Sequence, residues 1–262
     1  MYFDKPNATI IGFGAFGSLC ARALAPHMRV SVLDPDRRRT AEAQSAGLDV
    51  VRHVADVRDD TILLAVPLSA MEEVLVALAP HLRPGQLVVD VCSVKERPAR
   101  LMRDLLPKDV EILASHPMFG PQSARLGLAG SQIVLCPIRG RTWRRHAALL
   151  RKVLGLRVLI STPEDHDRQA ALTQGLTHLL AHAYGTLGLP PRIRTRSFEL
   201  LNQALGLIAD DAPEVFCPVT QGNRHVAELR ERLIEALTSV TVEADDPASQ
   251  VQAAGGEAIR PG

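Results

Sequence analysis

Ala8-Thr9-Ile10-Ile11-Gly12-Phe13-Gly14-Ala15-Phe16-Gly17 is the stretch that decides how this chain folds. Ala8–Gly12 is apolar and β-branched and reads as a buried strand. Ala15–Ala25 then carries a helical pattern. Between them Gly12, Gly14 and Gly17 fit G-x-G-x-x-G: one glycine for the tight turn, one for close approach of backbone to a diphosphate, one for helix–strand packing. The helix that opens there offers free N–H groups and a positive dipole end to the same anion. Asp34 ends the next strand, Arg29–Asp34, 22 residues after Gly12, where an acid accepts from ribose hydroxyls. Strand, glycines, helix and acid together indicate a dinucleotide site; the competing reading is a tight turn with an incidental aspartate. The cofactor set is Gly12, Phe13, Gly14, Ala15, Phe16, Gly17 and Asp34, with Pro67 just beyond the strand Thr61–Val66. Asp34 opposes a 2′-phosphate and favours NAD. Arg37, Arg38 and Arg39 keep NADP open, provided that their loop turns inward.

Outward from this stretch, strands and helices alternate. Thr61–Val66, Gln86–Val91, Val110–Ala114, Gln132–Cys136 and Leu156–Ile160 read as strands, and Leu68–Leu82 and Trp143–Leu154 as helices, with a further helix through Leu101, Leu105 and Leu106. Near-continuous apolar strands separated by helices imply a parallel sheet covered on both faces. The pattern changes at Ser161-Thr162-Pro163. Thr162 suits an N-cap, Pro163 the first helical position, and Glu164 and Asp165 the first turn. Beyond it only helical stripes remain: Leu172, Leu176, Leu179, Ala183, Leu187; Phe198, Leu201, Leu205, Ile208; and Val226, Leu229, Leu233, Leu237. The expected architecture is α/β: a Rossmann dinucleotide-binding domain over 1–162, an all-helical domain over 163–243, and an aperiodic tail, read as disordered, over 244–262.

Composition narrows the function. Thirty basic and 29 acidic residues leave a net charge of +1, which argues against bulk-charge binding to nucleic acid or membranes. No apolar run reaches the roughly 18–20 residues of a membrane span. Asp4 cancels Lys5, and glycines interrupt the apolar stretch that follows, unlike a signal peptide. The four cysteines, Cys20, Cys92, Cys136 and Cys217, form no CxxC pair and read as buried small side chains in a reducing interior. A soluble, cytoplasmic protein is expected.

Two polar residues follow strands on the edge that faces the cofactor. Ser93 comes after Gln86–Val91, and His116 comes after Val110–Ala114, opening the rigid loop His116-Pro117-Met118-Phe119-Gly120-Pro121. A histidine accepts a proton near neutral pH, although a structural loop histidine fits the spacing equally well. With these motifs the chain resembles the prephenate/arogenate dehydrogenase family of tyrosine biosynthesis. The likeness is carried by the glycine motif, Ser93-Val94-Lys95, the His116–Pro121 loop, and His166-Asp167 followed by Gln174-Gly175-Leu176-Thr177-His178. It spans roughly residues 8–240. The related 3-hydroxy acid dehydrogenases carry a catalytic lysine on a later helix, and no lysine follows Lys152.

The resemblance implies that His116 draws the proton from a ring hydroxyl while Ser93 orients it beside the nicotinamide. It puts His178 against the substrate, with Gln174 one turn earlier on the same face. It further implies hydride transfer to NAD and loss of the ring carboxylate as carbon dioxide, with prephenate as substrate. One departure stands out: Glu199 falls where the family commonly has a substrate-gripping arginine, and Arg196 or Arg194 is the local substitute. An acid there makes arogenate or 4-amino-4-deoxyprephenate the alternative substrate. A non-catalytic dinucleotide sensor is the alternative of another class, though it would have no need of both Ser93 and His116. His178 and His182 stand i, i+4 without a helper glutamate, so no metal is expected. Three apolar stripes in a small helical domain, and the family's habit of pairing through that domain, imply a homodimer.

Overall fold

A computed structural model describes residues 6–188, 191–209 and 213–240. The expected tail over 244–262 lies outside the described residues. Eight strands form one sheet: β1 (Asn7–Ile11), β2 (Arg29–Leu33), β3 (Asp49–Val50), β4 (Thr61–Leu64), β5 (Leu87–Asp90), β6 (Glu111–Pro117), β7 (Gln132–Arg139) and β8 (Arg157–Ile160). Their order is β3-β2-β1-β4-β5-β6-β7-β8. The chain builds outward from β1 to β3, then returns to the other side of β1 to lay down β4. The crevice above β1 and β4 is therefore the switch point where such sheets bind ligands.

Strand side chains alternate between two apolar layers. Ile11, Ile62, Leu64, Val88 and Ile112 face Met71, Leu75 and Leu78 of α3 (Met71–Leu78) and Ala99 and Met102 of α4 (Glu96–Leu105). Ile10, Val30, Leu63, Val89 and Leu113 face the opposite layer, with Ala21 of α1 (Ala15–Leu24), Ala43 of α2 (Arg37–Ser45) and Ala147 of α5 (Trp143–Lys152). Each large aliphatic buried here stabilises the fold by roughly 1.5–3 kcal/mol.

Four expectations need correction. The sheet is not wholly parallel, because β7 runs antiparallel to β6. Residues 118–131 contain only a short 3-10 turn at Ser123–Leu126, whereas a parallel return usually runs through an α-helical crossover. His116 does not open a loop after its strand: it lies inside β6, paired with Val134. Arg37, Arg38 and Arg39 are not a loop but the first turn of α2, whose Asp36 side chain caps Arg38 N at 2.8 Å. Cys217, expected buried, is exposed.

After β8 the described chain is helical: α6 (Pro163–Ala170), α7 (Leu176–Thr186), α8 (Arg196–Ala209), α9 (Pro213–Thr220) and α10 (His225–Ser239). Thr162 caps α6 by accepting from Asp165 N at 3.2 Å, and Pro163 takes the first position. A π-helical stretch, Ala171–Gly175, joins α6 to α7, a feature that periodicity did not reveal. The apolar stripes are only partly covered. Leu205 and Val226 are buried, but Leu172 is 53% exposed, Leu187 83% and Leu237 62%. No described helix is long and apolar enough to cross a membrane.

The glycine turn gives a stability test. Gly12 has φ +94°, and a Cβ there would lie 2.4 Å from the Ala65 carbonyl oxygen; a Cβ on Gly17 would lie 2.0 Å from that of Gly12. Both obstacles are backbone, so Gly17→Ala should cost roughly 1–3 kcal/mol, or roughly 3–10 °C in melting temperature. Gly14→Ala, which meets nothing within 4 Å, should stay within about 2 °C of the parent. Calorimetry of both variants checks the contrast; an unshifted Gly17→Ala would overturn it.

Candidate active site

The glycine motif lies at the C-terminal edge of the sheet. Gly12 N donates to Leu33 O at 2.9 Å, and Ala65 N to Ile11 O at 2.8 Å, so the turn is bound to β2 and to the β4 end. Gly14 caps α1 without any side-chain cap, leaving the first N–H groups of that helix for a ligand. Gly12 and Gly17 are demanded by the protein's own packing. Gly14 is not: the space its missing side chain leaves is open, as a backbone cradle for a diphosphate requires. Asp34 accepts from Phe13 N at 2.6 Å and Asp36 N at 2.8 Å. Its carboxylate thereby stiffens the turn and keeps lone pairs for a hydroxyl. These residues fit a dinucleotide. Ala15 and Phe16 are in the first turn of α1, and Phe16 sits 6.3 Å from Phe119 between ring centroids. Pro67 is exposed, three residues past β4.

The chemical end is built around β5, β6 and α6. His116 is 4% exposed, and its Nδ1 lies 2.9 Å from Nε2 of His166, which is itself buried. His166 Nδ1 lies 2.8 Å from Asp167 Oδ1. That carboxylate also accepts from Lys95 N at 2.7 Å and Glu96 N at 2.9 Å, so it caps α4 from another element. Lys95 is fully buried; its Nζ donates to Asp90 and to Ser115 O. Burial first, then the neighbouring His166 ring and the Lys95 ammonium, hold the His116 imidazole well below the ordinary histidine range. His116 is therefore neutral at pH 7. Burial pushes the Asp90 carboxyl up, although Lys95 opposes the shift.

Other expected residues fall in different surroundings. Ser93 is half-buried in the turn after β5 and makes no hydrogen bond to His116 among the described residues; His166 takes the Nδ1 position instead. His178 is buried on α7, edge-on to the Phe216 ring with centroids 5.8 Å apart. Gln174, in the π-helical stretch, has its buried Oε1 without a protein partner. Arg196 lies on exposed α8, and its guanidinium pairs with Glu199 at 3.3 Å. His166, Asp167 and Lys95 were not singled out as functional from the residues alone. The available signal was a His-Asp pair directly after a helix-start sequence.

Comparison with known proteins identifies the family. Residues 19–171 match the family model for the prephenate dehydrogenase nucleotide-binding domain, a stretch that begins beyond the glycine motif. A probable arogenate/prephenate dehydrogenase of Methanocaldococcus jannaschii is 27% identical over 195 residues, 70% of this chain and 43% of the relative. Arogenate dehydrogenase 2 of Arabidopsis thaliana, chloroplastic, is 30% identical over 247 residues, 89% of this chain and 68% of the relative. The chain thus spans under half the length of one and about two thirds of the other. Its fold matches the crystal structure of prephenate dehydrogenase from A. aeolicus in complex with hydroxyphenyl propionate and NAD+. The TM-score is 0.73 at 18% identity, covering 91% of this chain and 90% of that one. Sharing this α/β sheet with its helical continuation, and a family match over most of its sheet domain, the chain belongs to the prephenate dehydrogenase family.

Proposed function

We propose that this chain is an NAD-dependent dehydrogenase that oxidises and decarboxylates a cyclohexadiene of the prephenate type, yielding 4-hydroxyphenylpyruvate from prephenate. The observation that carries the reading is His116: a neutral, buried imidazole at the end of β6, on the sheet edge that also carries the glycine turn. His116 takes the proton of the ring hydroxyl as the carbon that bears it loses hydride. Bound nicotinamide supplies the hydride acceptor. The ring carboxylate leaves as carbon dioxide and the ring becomes aromatic, so the protein mainly has to position the reactants and offer one tuned base. Ser93 lies on the turn beside this site, and Gln174 and His178 supply polar groups from the helical side. The unpartnered Gln174 Oε1 calls for a donor that a substrate hydroxyl or ammonium provides.

Arogenate is the second reading. Glu199 stands close to Arg196 on α8, and an acid suits an aminated substrate better than a dianion. The Arabidopsis relative bears the name arogenate dehydrogenase. We assign residues 1–162 to cofactor binding and 163–243 to substrate and self-association, with residues 244–262 as a tail outside both. Nicotinamide reduction followed by absorbance with prephenate, arogenate and the amino analogue tests the proposal; no reduction with any of them would overturn it.

His116→Asn should lower kcat by roughly 10²–10⁴-fold and leave cofactor binding unchanged. The base works only when neutral, and its pKa is lowered, so kcat/KM should hold as pH falls past 6.5 and decline only below it. A pH profile with its acid limb at or above 6.5, or a folded His116→Asn with full turnover, would refute this role.

NAD is the proposed cofactor, on the strength of Asp34 at the end of β2. Arg37, Arg38 and Arg39 open α2, and they are the residues through which NADP would bind. Wild-type protein should show the higher kcat/KM with NAD, and Asp34→Ala should narrow or reverse the preference. Higher kcat/KM with NADP in the wild type would assign the arginines the dominant role.

A homodimer through the helices is proposed because apolar residues there stay uncovered: Ile193 is 92% exposed, Leu187 83% and Leu207 70%. Light scattering at micromolar concentration should give about twice the 28.4 kDa of one chain. A mass near 28.4 kDa with full activity would refute it.

A further inference from the structure

We propose that His166 and Asp167 are positioning residues that hold His116 in its Nδ1–H tautomer and so leave Nε2 bare to receive the substrate proton. This rests on the reading of His116 as the base. Asp167 receives three donors on two oxygens: Lys95 N, Glu96 N and His166 Nδ1, at 2.7, 2.9 and 2.8 Å. A carboxylate so placed acts as acceptor only, hence the proton of His166 is on Nδ1. A neutral imidazole with Nδ1–H has a bare Nε2. His166 Nε2 then accepts, at 2.9 Å, from His116, whose proton must be on Nδ1. His116 Nε2, with no hydrogen bond among the described residues, is the remaining lone pair.

The surroundings favour this arrangement over its mirror image. Lys95 is the cation that faces His116, held by Asp90 and the Ser115 carbonyl; a second proton on His116 would meet it inside a buried site. Asn223 Nδ2 donates to the Asp167 backbone carbonyl at 2.7 Å, so the backbone that carries the carboxylate is fixed from a further element. When His116 takes the hydroxyl proton at Nε2, its Nδ1–H stays on His166. The new charge is then two hydrogen bonds from the Asp167 carboxylate, and no further proton moves. Asp167 also grips the turn that carries Ser93. One side chain thus sets both the orientation of the base and the position of its neighbour.

Long-range 1H–15N correlation spectroscopy of the ligand-free protein near neutral pH reads the tautomers, with the His116 signals identified by their loss in His116→Asn. Protonated Nδ1 and bare Nε2 are expected on both rings. A proton on Nε2 of His116, or a doubly protonated His166, would overturn the proposal. His166→Leu should lower kcat roughly 10–10³-fold, with KM and NAD affinity within about threefold of wild type, and should lose the Nδ1–H signature. His166→Gln, whose carbonyl accepts the same proton, should recover about tenfold or more of that loss. A folded His166→Leu with unchanged kcat would overturn the relay; should that variant fail to fold, the wild-type tautomer and His166→Gln decide. Full turnover in His116→Asn would remove the base itself, whereas an inactive His116→Asn beside a fully active His166→Leu would remove only the relay.

Discussion

The carboxylate of Asp167 is the contact on which the site depends. It belongs to α6, the first helix after the sheet, yet its partners are the backbone of Lys95 and Glu96 at the start of α4 and the ring of His166. Hydrogen bonds to a buried charge contribute roughly 1.5–3 kcal/mol each. Nearby ion pairs such as Arg224–Glu96, with the arginine side chain 64% exposed, contribute roughly 0–1 kcal/mol. The buried carboxylate, not the surface pairs, therefore sets how the helical part sits on the sheet. It also explains why a helix outside the sheet determines the state of a histidine inside it.

Beneath this contact lies a buried ion pair. Lys95 and Asp90 are both fully enclosed, and Lys95 also binds the carbonyl of Ser115, so β5 and β6 are joined at the ends that face the site. Ser115 returns the tie through its hydroxyl, 2.7 Å from Asp90 O. Removing one partner of such a pair costs roughly 3–5 kcal/mol, because the other charge is left buried and alone. The pair adds little net stability over apolar packing, yet it places a fixed positive charge beside His116. That charge helps burial keep the imidazole neutral.

The helical part is chemically less finished than the sheet. Both faces of the sheet are covered along most strands, but α8 and α10, and Leu187 just after α7, keep large aliphatic residues in solvent. The same α8 carries Arg196 and Glu199, paired to one another rather than to any residue of the His116 cluster. The residues proposed above for substrate choice and for self-association thus share α8.

Local rules were enough for much of this molecule. The glycine turn, Asp34 at a strand end, the helix start at Thr162 and most strands were legible because each depends on neighbours in sequence: φ angles, caps and period-two apolarity. The short β3 and the charged helix α2 escaped, since neither has enough apolar periodicity to register. The antiparallel β7 escaped because direction depends on how the chain returns, not on strand composition. His116 and Ser93 were named from motif and resemblance, but their hydrogen bonding could not be read there. His116 and His166 are 50 residues apart, as Asp167 and Lys95 are 72, and only folding brings such pairs within 3 Å. Residue types and local geometry are written in the sequence. Tautomer, burial and the shift of a histidine away from its solution pKa arise only when distant groups share one water-free interior, where each charge acts on the next.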